Sequence, residues 1–299
     1  MGSRLARFIE AVRAARERGG VALMGVCNVT PDSFSDGGLY LTPELAFRRI
    51  DALVAEGADV VDVGGESTRP GAPRVAPSVQ LERVLEVVSY AKERVVVSVD
   101  TTSAEVAEAC LRAGAHAVND VSLLSEPGLA DVVARHGAAL VLSHARGFQA
   151  GMAGFGRWPE SDYVDVISEV VAEWSAAAAE AERRGVPREA LVMDPGLGFS
   201  KSARHSLALL RGVARLAELA SAPVLVGASR KSFLTLADPG AGPPGRLGAS
   251  LAAALHAARC GASLLRVHDV RATRQALSLA QLLSQDPAGR PDERVEERC

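Results

Sequence analysis

Residues 59–71 read Asp-Val-Val-Asp-Val-Gly-Gly-Glu-Ser-Thr-Arg-Pro-Gly, and they contain the unit from which the rest of the chain is built. A short apolar run comes first and is typical of a buried β-strand. The polar, Gly-rich segment after it is typical of a loop. Residues 80–94, which follow, have helical periodicity. Strand, loop and helix in this order form the repeating unit of a parallel α/β protein.

The same unit recurs eight times along the chain. The predicted strands are Val21–Cys27, Asp59–Val63, Val95–Val99, Ala117–Val118, Ala139–Leu142, Ala190–Met193, Pro223–Val226 and Ser263–Val267. The helical segments between them are Pro43–Glu56, Gln80–Arg94, Ser103–Ala113, Gly128–His136, Ser161–Arg184, Leu207–Ala220, Leu247–Cys260 and Val270–Ser284. Eight repeats in 299 residues fit an α/β protein with one (β/α)8 TIM barrel of about 250 residues.

We place this single-domain barrel at residues 21–284, after a helical N-terminal extension (1–20) and before a flexible C-terminal tail (285–299). A doubly wound open sheet is the competing fold. No Gly-rich dinucleotide fingerprint follows the first strand, which makes the open sheet less favoured.

Composition excludes several classes of protein. The chain has 33 Lys and Arg against 36 Asp and Glu, a net charge of −3, so no basic face for nucleic acid is expected. No apolar run approaches the roughly 20 residues that span a bilayer, so no membrane association is expected. The four cysteines form no close pair, and a disulfide framework is not expected at this size. We therefore expect a cytoplasmic protein whose partners are small molecules.

Polar residues follow every predicted strand, which is where catalytic residues lie in a barrel of this kind. The segments are Asn28–Gly38, Gly64–Gly71, Asp100-Thr101, Asn119-Asp120, Ser143-His144, Asp194-Pro195-Gly196, Gly227–Ser232 and Arg266–Asp269. Two of them extend into long loops, the Gly- and Ser-rich Asn28–Thr42 and the Pro-containing Gly64–Pro77, and loops of this length predict lids at the barrel mouth.

These segments resemble those of the dihydropteroate synthase family. The most specific ones are Asn28-Val-Thr-Pro-Asp-Ser-Phe34, Gly65-Glu-Ser-Thr-Arg-Pro-Gly71 and Asp194-Pro-Gly-Leu-Gly-Phe199, supported by Ser229-Arg-Lys231 and Arg266-Val-His-Asp269. The resemblance extends from about Val21 to Leu283. It implies a homodimer of (β/α)8 barrels that needs Mg²⁺ and joins 4-aminobenzoate to a 7,8-dihydropterin activated as its methyl diphosphate.

The resemblance also implies a role for each matching residue. The residues expected to bind the pterin are Asp100, Asn119, Asp194, Lys231, Arg266, Thr68 and Phe199. Those expected at the diphosphate are Asn28, Thr68, Arg266 and His268, with Asn28 also the Mg²⁺ ligand. Phe34, Pro70, Ser232 and Lys231 are expected to contact 4-aminobenzoate, and the catalytic set is Lys231, Arg266, His268 and Asp36, the last of which orders the closed loops.

The residue types suit these roles. Carboxylates and amides on rigid strands match the fixed donors and acceptors of a pterin edge. Arg266 and His268 alternate across Val267 and therefore point to the same side of the last strand, where with Lys231 they form a cationic set for a departing diphosphate. The six histidines are scattered and no cluster has zinc spacing, which agrees with a hard ion held mainly by phosphate oxygens.

Simpler structural roles remain open for several of these residues. Asp100 can cap the following helix, Asn28 can open its loop as an Asx turn, and Arg266 can be a salt-bridged arginine beside a rim histidine, His268.

Two other functions remain as alternatives. A methyltetrahydrofolate-dependent methyltransferase would share the pterin-binding carboxylates but would not need the phosphate-binding residues, and a non-catalytic paralogue would bind pterin without turnover. The sequence also departs from the family pattern. Ser143-His144-Ala145 replaces a Met-His-Met type run, and Ser200 replaces a usual glycine.

Overall fold

The structure, a computed structural model, describes residues 3–30, 43–67, 74–147 and 158–284. Eight parallel strands form one sheet in the order β6-β5-β4-β3-β2-β1-β8-β7. Their bounds are β1 Ala22–Asn28, β2 Val60–Gly64, β3 Val96–Asp100, β4 Ala117–Asp120, β5 Ala139–Ser143, β6 Leu191–Asp194, β7 Leu225–Val226 and β8 Leu264–Val267. A parallel bridge between Met193 and Val224 joins β6 to the start of β7, so that the sheet closes. The predicted (β/α)8 barrel is confirmed.

The helices lie between the strands as the periodicity predicts. Their bounds are α1 Arg4–Gly19, α2 Pro43–Ala55, α3 Pro77–Ala91, α4 Ala104–Ala113, α5 Gly128–His136, α6 Val166–Arg183, α7 Ala203–Arg211, α8 Val213–Ala220, α9 Leu247–Arg259 and α10 Val270–Ser284. The sixth helix begins later than predicted because the Asp165 side chain accepts hydrogen bonds from the backbone N–H groups of Ile167 and Ser168, which fixes its first turn.

One predicted helix, Leu207–Ala220, is wrong: the structure has two helices, α7 and α8, that meet at Gly212. A Cβ on Gly212 would lie 2.5 Å from Cδ1 of Ile167 in α6. The chain bends at this glycine, which packs closely against the Ile167 side chain of α6.

The lower half of the barrel interior is packed with small and medium-sized apolar side chains. This cluster contains Ala22, Met24, Val60, Val96, Ala117, Ala139, Val141, Val192, Leu225 and Leu264. Phe8 and Ala15 of α1 belong to the same cluster, so α1 covers the N-terminal end of the barrel. Because this end is filled, ligands can enter only at the opposite end, where the strands terminate.

Strand register sets polar residues at one level near that opposite end. Asn28 pairs with Gly64, Gly64 pairs with Asp100, and Asp100 pairs with Asn119 across four neighbouring strands. Further round the barrel, Ser143 pairs with Asp194. The apolar floor and this polar level together shape a site at the C-terminal mouth. Within the described part of the chain, no helix has the length and apolar character needed to cross a membrane.

Candidate active site

Arg266 is the centre of a buried ion cluster inside the barrel mouth. Its Nε donates to Oδ2 of Asp62 at 2.7 Å, and its Nη2 donates to Oδ2 of Asp100 at 2.7 Å. Asp62 is fully buried and Asp100 is 5% exposed. Burial raises the pKa of Asp100 to about 7, although the Arg266 guanidinium opposes this shift. The two carboxylates hold the guanidinium plane in one orientation.

Asp100 does not cap a helix. The side chain of Ser103 caps α4 by accepting a hydrogen bond from the N–H of Val106, and Asp100 is instead held by Arg266. Arg266 does form salt bridges, as the structural alternative predicts. Its partners, Asp62 and Asp100, lie in the barrel mouth themselves.

Several acceptor atoms at the mouth are buried without a hydrogen-bond partner among the described residues. They include Oδ1 of Asp100, Oδ1 of Asn119 and Oδ1 of Asp62. Asn119 is oriented by its Nδ2, which donates to Oδ2 of Asp62 at 2.9 Å. A buried acceptor without a partner costs about 1–3 kcal/mol, so such a group is rare unless a ligand or water binds it. The cluster is therefore suited to a ligand edge rich in N–H donors.

Asp194 ends β6 on the other side of the opening and is 5% exposed. Its Oδ1 accepts a hydrogen bond from the N–H of Gly196 at 2.7 Å, which fixes the carboxylate. A Cβ on Gly227 would lie 3.9 Å from Oδ2 of Asp194 and 3.9 Å from Nζ of Lys231. Burial raises the pKa of Asp194, and the Lys231 charge opposes this rise. Asp194 and Lys231 thus face a common space that Gly227 leaves open.

Lys231 is anchored by the turn that follows Asp194. Its Nζ donates to the carbonyl of Leu197 at 2.6 Å and lies 4.6 Å from the ring centroid of Phe199. Burial lowers the pKa of Lys231 to about 8, and Asp194 limits this fall. The structure thus brings Asp194, Phe199 and Lys231 together, as the sequence predicts for a single binding site.

His268 is placed at the barrel rim as predicted, but as a neutral group. Burial lowers its pKa to about 3, and the charge of Arg266 lowers it further. The Ser229 hydroxyl accepts from the backbone N–H of His268 at 3.2 Å and lies 3.1 Å from its Nδ1. If the hydroxyl proton is donated to Nδ1, the ring proton resides on Nε2, which can donate to a phosphate oxygen. This lowered pKa favours a neutral ring, in contrast to the predicted cationic set, in which Arg266 and Lys231 remain the charged members.

Asn28 is the last residue of β1, and Gly64 of β2 lies between it and Asp100 of β3. A Cβ placed on Gly64 would lie 3.5 Å from Oδ1 of Asn28 and 3.4 Å from Cβ of Asp100, so both side chains are close to this glycine. No group of three or more His, Cys, Asp or Glu side chains in the described ranges could hold a metal ion. The amide oxygen of Asn28 is a hard donor that fits Mg²⁺ when phosphate and water supply the remaining ligands.

Ser232 follows Lys231 directly, and its Oγ is buried without a hydrogen-bond partner in the described part of the chain. Four other predicted site residues, Phe34, Asp36, Thr68 and Pro70, lie outside the described residues. Asp120, the neighbour of Asn119, faces its own loop and accepts hydrogen bonds from the N–H groups of Ser122 and Leu124.

Sequence reasoning missed Asp62. The signal was present in the sequence, because a single carboxylate interrupts the apolar run Val60-Val61-Asp62-Val63 of a buried strand. An ionisable residue in such a run is costly unless it is paired, so it points to a site. The strand-end rule did not include Asp62, since it lies two residues before the end of β2.

A second missed residue is Lys201, which is fully buried next to the turn that carries Phe199. Its Nζ lies 2.8 Å from Nδ1 of His144.

A family model described as pterin binding enzyme matches residues 24–268. A curated relative, the dihydropteroate synthase of Mycobacterium leprae, is 46% identical over 266 residues, which cover 87% of this chain and 92% of the relative.

Solved structures agree with the sequence comparison. A dihydropteroate synthase of Xanthomonas albilineans with 4-aminobenzoic acid matches with a TM-score of 0.81 and 42% identity, covering 89% of this chain and 94% of that one. The enzyme of the same organism in complex with 7,8-dihydropteroate matches with a TM-score of 0.78 and 39% identity, covering 89% and 95%.

Proposed function

The chain belongs to the pterin-binding enzyme family, and we propose on that premise that its barrel mouth condenses 4-aminobenzoate with (7,8-dihydropterin-6-yl)methyl diphosphate. The products are 7,8-dihydropteroate and diphosphate. This is the activity of a dihydropteroate synthase, a transferase of folate biosynthesis.

The observation that carries the proposal is the set of buried acceptors around one opening. Oδ1 of Asp100 and Oδ1 of Asn119 have no hydrogen-bond partner among the described residues, and Asp194 stands opposite them beside Lys231. The aminopyrimidine side of a pterin presents N–H donors in a plane, and its carbonyl presents an acceptor. We assign Asp100, Asn119 and Asp194 to the N–H groups, and Lys231, with three N–H donors, to an acceptor atom of the ring system.

Arg266 suits the diphosphate and the ring together. Asp62 and Asp100 occupy its Nε and Nη2, so its plane is fixed before any ligand binds. A fixed guanidinium can stack on a flat ring and direct its remaining N–H groups at a phosphate. We assign the Nε2–H of His268 to a diphosphate oxygen, with Thr68 as a further contact from the second loop.

The reaction requires no covalent intermediate with the protein, because the aromatic amine of 4-aminobenzoate is the nucleophile. The protein must align the amine with the pterin methylene group, exclude water and stabilise the charge that develops on the departing diphosphate. Arg266 and His268 are placed for the last task. We assign Ser232 and Lys231, with Phe34 and Pro70, to the 4-aminobenzoate pocket, and Asp36 to ordering the closed loops.

We further propose that Mg²⁺ takes part and that Asn28 would hold it through its amide oxygen. When bound, the ion offsets negative charge on the diphosphate oxygens. The position of the Asn28 amide at the C-terminal end of β1, in the barrel mouth, supports this assignment. A homodimer and a cytoplasmic location remain proposals that rest on the family resemblance, and light scattering of the purified chain tests the first.

One steady-state assay tests the function. The purified chain is given the pterin diphosphate with Mg²⁺, and formation of 7,8-dihydropteroate and release of diphosphate are measured with and without 4-aminobenzoate. We expect both products in equal amounts, only when 4-aminobenzoate is present, and loss of turnover with excess chelator. Binding of the pterin diphosphate without turnover would identify a non-catalytic paralogue, and methyl transfer from a folate without diphosphate release would identify a methyltransferase.

A further inference from the structure

Lysine is rare in this chain, and its distribution draws attention to Lys201. The chain has 33 Lys and Arg residues, and 30 of them are arginines. The three lysines are Lys92, Lys201 and Lys231. Lys231 lies in the active site, and Lys201 lies beside it with no exposed surface. Taking a long cationic side chain out of water is costly, so it needs partners that compensate.

Three acceptors surround Nζ of Lys201, one for each N–H bond of an ammonium group. Nδ1 of His144 lies at 2.8 Å, the carbonyl of Phe199 at 2.9 Å and the carbonyl of His144 at 3.3 Å. The side chain therefore joins the end of the β5 segment to the turn that follows β6.

A second contact fixes the acceptor on His144. Its Nε2 lies 2.9 Å from Oε2 of Glu173, and the pKa of Glu173 is lowered to about 2, mainly by this hydrogen bond. A carboxylate at Nε2 requires the ring proton there, which leaves Nδ1 as an acceptor for Lys201. Glu173, His144 and Lys201 thus form a directed chain of hydrogen bonds from α6 into the protein interior.

The turn that Lys201 anchors carries several groups of the pterin site. Asp194 begins it, the carbonyl of Leu197 accepts from Lys231, and the ring of Phe199 lies under the Lys231 amine. The turn also packs tightly on the β5 end, because a Cβ on Gly196 would lie 1.9 Å from the carbonyl oxygen of His144. Small shifts of this turn would move both an acceptor and a donor of the pterin site.

We propose that Lys201 is a positioning residue for the pterin, which holds the turn from Asp194 to Phe199 against His144 and so sets the placement of Asp194 and Lys231. This inference rests on the proposed function. Lys201 itself touches neither substrate. A lysine ammonium is a compact head with three rotatable donors, whereas an arginine head is larger and planar. Burial lowers the pKa of Lys201 well below its usual range, while the nearby charge of Asp194 opposes this effect.

The first experiment is Lys201→Met in the full chain, with Trp174→Phe as the matched control. Trp174 is also fully buried, and its Nε1 donates to the carbonyl of Leu142 in β5 at 3.1 Å, so this hydrogen bond ends on β5 and not on the turn. Both variants lose buried hydrogen bonds, so both should melt at a lower temperature than the wild type.

Only Lys201→Met should weaken binding of the pterin diphosphate. We expect its Kd and KM for this substrate to rise by about tenfold or more, because misplaced binding groups cost about this much or more. Trp174→Phe should keep the wild-type pterin affinity to within about twofold. A pterin Kd for Lys201→Met within about twofold of the wild type would overturn the proposal.

A pair of variants at His144 gives a second test if Lys201→Met does not fold. His144→Asn keeps an acceptor near the position of Nδ1 but loses volume, whereas His144→Leu keeps much of the volume but loses the acceptor. If the hydrogen bond positions the turn, the Asn variant should bind the pterin diphosphate more tightly than the Leu variant. A purely packing role predicts the reverse order, which would also overturn the proposal.

The wild-type protein separates this inference from the proposed function. If the wild type fails to bind the pterin diphosphate, the proposed function is wrong. If the wild type binds and turns over while the Lys201 and His144 variants match it, only the positioning role is wrong.

Discussion

Nε of Arg266 lies 2.7 Å from Oδ2 of Asp62, and this contact joins two residues that are 204 positions apart in the chain. Asp62 lies on β2 and Arg266 on β8, with β1 between these strands. The pair is made inside the barrel, where Asp62 is fully buried. The pairing of β2 and β8 with β1 therefore brings together the two residues that fix the guanidinium, which we assign to the pterin and the diphosphate.

Asp62→Asn should impair both the fold and the activity. The substitution keeps the shape of the side chain but removes one of the two charges that pair with Arg266. Removing a partner from a buried ion pair costs up to about 3–5 kcal/mol, and Asp100 still compensates part of the charge. Because the guanidinium loses one of its two anchors, kcat/KM for the pterin diphosphate should fall by about 100-fold. Urea denaturation and steady-state kinetics measure the two effects.

Asp51→Asn is the control for this variant. Asp51 pairs with Arg94 at 3.2 Å, but the pair is at the surface, with side-chain exposures of 54% and 38%. Exposed ion pairs contribute about 0–1 kcal/mol, so its unfolding free energy and activity should change little. Equal effects of the two substitutions would show that the buried pair has no special role.

The site could be predicted in part because a parallel barrel places strand ends in one region. Asp100, Asn119 and Asp194 were accessible to this rule, since each lies at or within one residue of the end of its strand. The partners of Arg266 could not be predicted from the strand-end rule. Nothing in the local sequence of Arg266 indicates which carboxylates of β2 and β3 its guanidinium reaches, because that depends on strand register and on the direction of a long side chain.

The charge state of His268 was also beyond the sequence. An isolated imidazole titrates near pH 6.5. The nearby Arg266 in the sequence indicates a phosphate site but does not indicate the charge of His268. Burial in the folded barrel lowers the pKa of His268 to about 3. Fold class, in contrast, depends on the repetition of short apolar runs and helical periods, which the sequence shows directly.

Asp194→Ala should abolish pterin binding in a protein that remains folded. We assign the carboxylate at the end of β6 to the pterin N–H groups, so its loss should raise the pterin Kd by about 100-fold or more. Binding of the pterin diphosphate is measured by calorimetry, and the fold by circular dichroism.

The matched control is Asp120→Ala at the end of β4. Its carboxylate accepts hydrogen bonds from Ser122 and Leu124 of its own loop, so the variant should lose stability but retain pterin affinity. Normal pterin affinity in Asp194→Ala would remove Asp194 from the site.

Asp100 should make the stability of the protein depend on pH in an unusual direction. Its pKa in the fold is raised from the ordinary value of 3.8 to about 7 by burial. Between these values the folded state binds more protons than the unfolded state, so this group stabilises the fold fully below about pH 4 and its contribution is lost as the pH rises to about 7. The raised pKa of Asp194 acts in the same direction.

Asp100→Asn tests this dependence. Urea unfolding at several values between about pH 4 and about pH 7 should give a shallower fall of stability with rising pH in the variant than in the wild type. The slope is the readout, because the variant also loses its ion pair with Arg266 and its absolute stability changes. Parallel pH curves for the two proteins would show that Asp100 titrates near its ordinary pKa.

Gly227→Ala should block the pterin while leaving the fold intact. The nearest atoms to a Cβ at this position are Cβ of Arg266 at 3.8 Å, Oδ2 of Asp194 at 3.9 Å and Nζ of Lys231 at 3.9 Å, so the protein itself accommodates the methyl group. That methyl group would enter the space that we assign to the pterin ring. We expect an unfolding free energy within about 1 kcal/mol of the wild type and a pterin Kd raised by about tenfold or more.

Gly248→Ala is the control for added volume, since a Cβ on Gly248 in α9 has no neighbour within 4 Å. A methyl group there should raise helix stability by about 0.5–1 kcal/mol and leave pterin binding unchanged. Calorimetric titration with the pterin diphosphate compares the two variants directly. If Gly227→Ala binds the pterin as tightly as Gly248→Ala does, the ring does not lie between Asp194, Lys231 and Arg266, and the assignment of these three residues to one ligand is wrong.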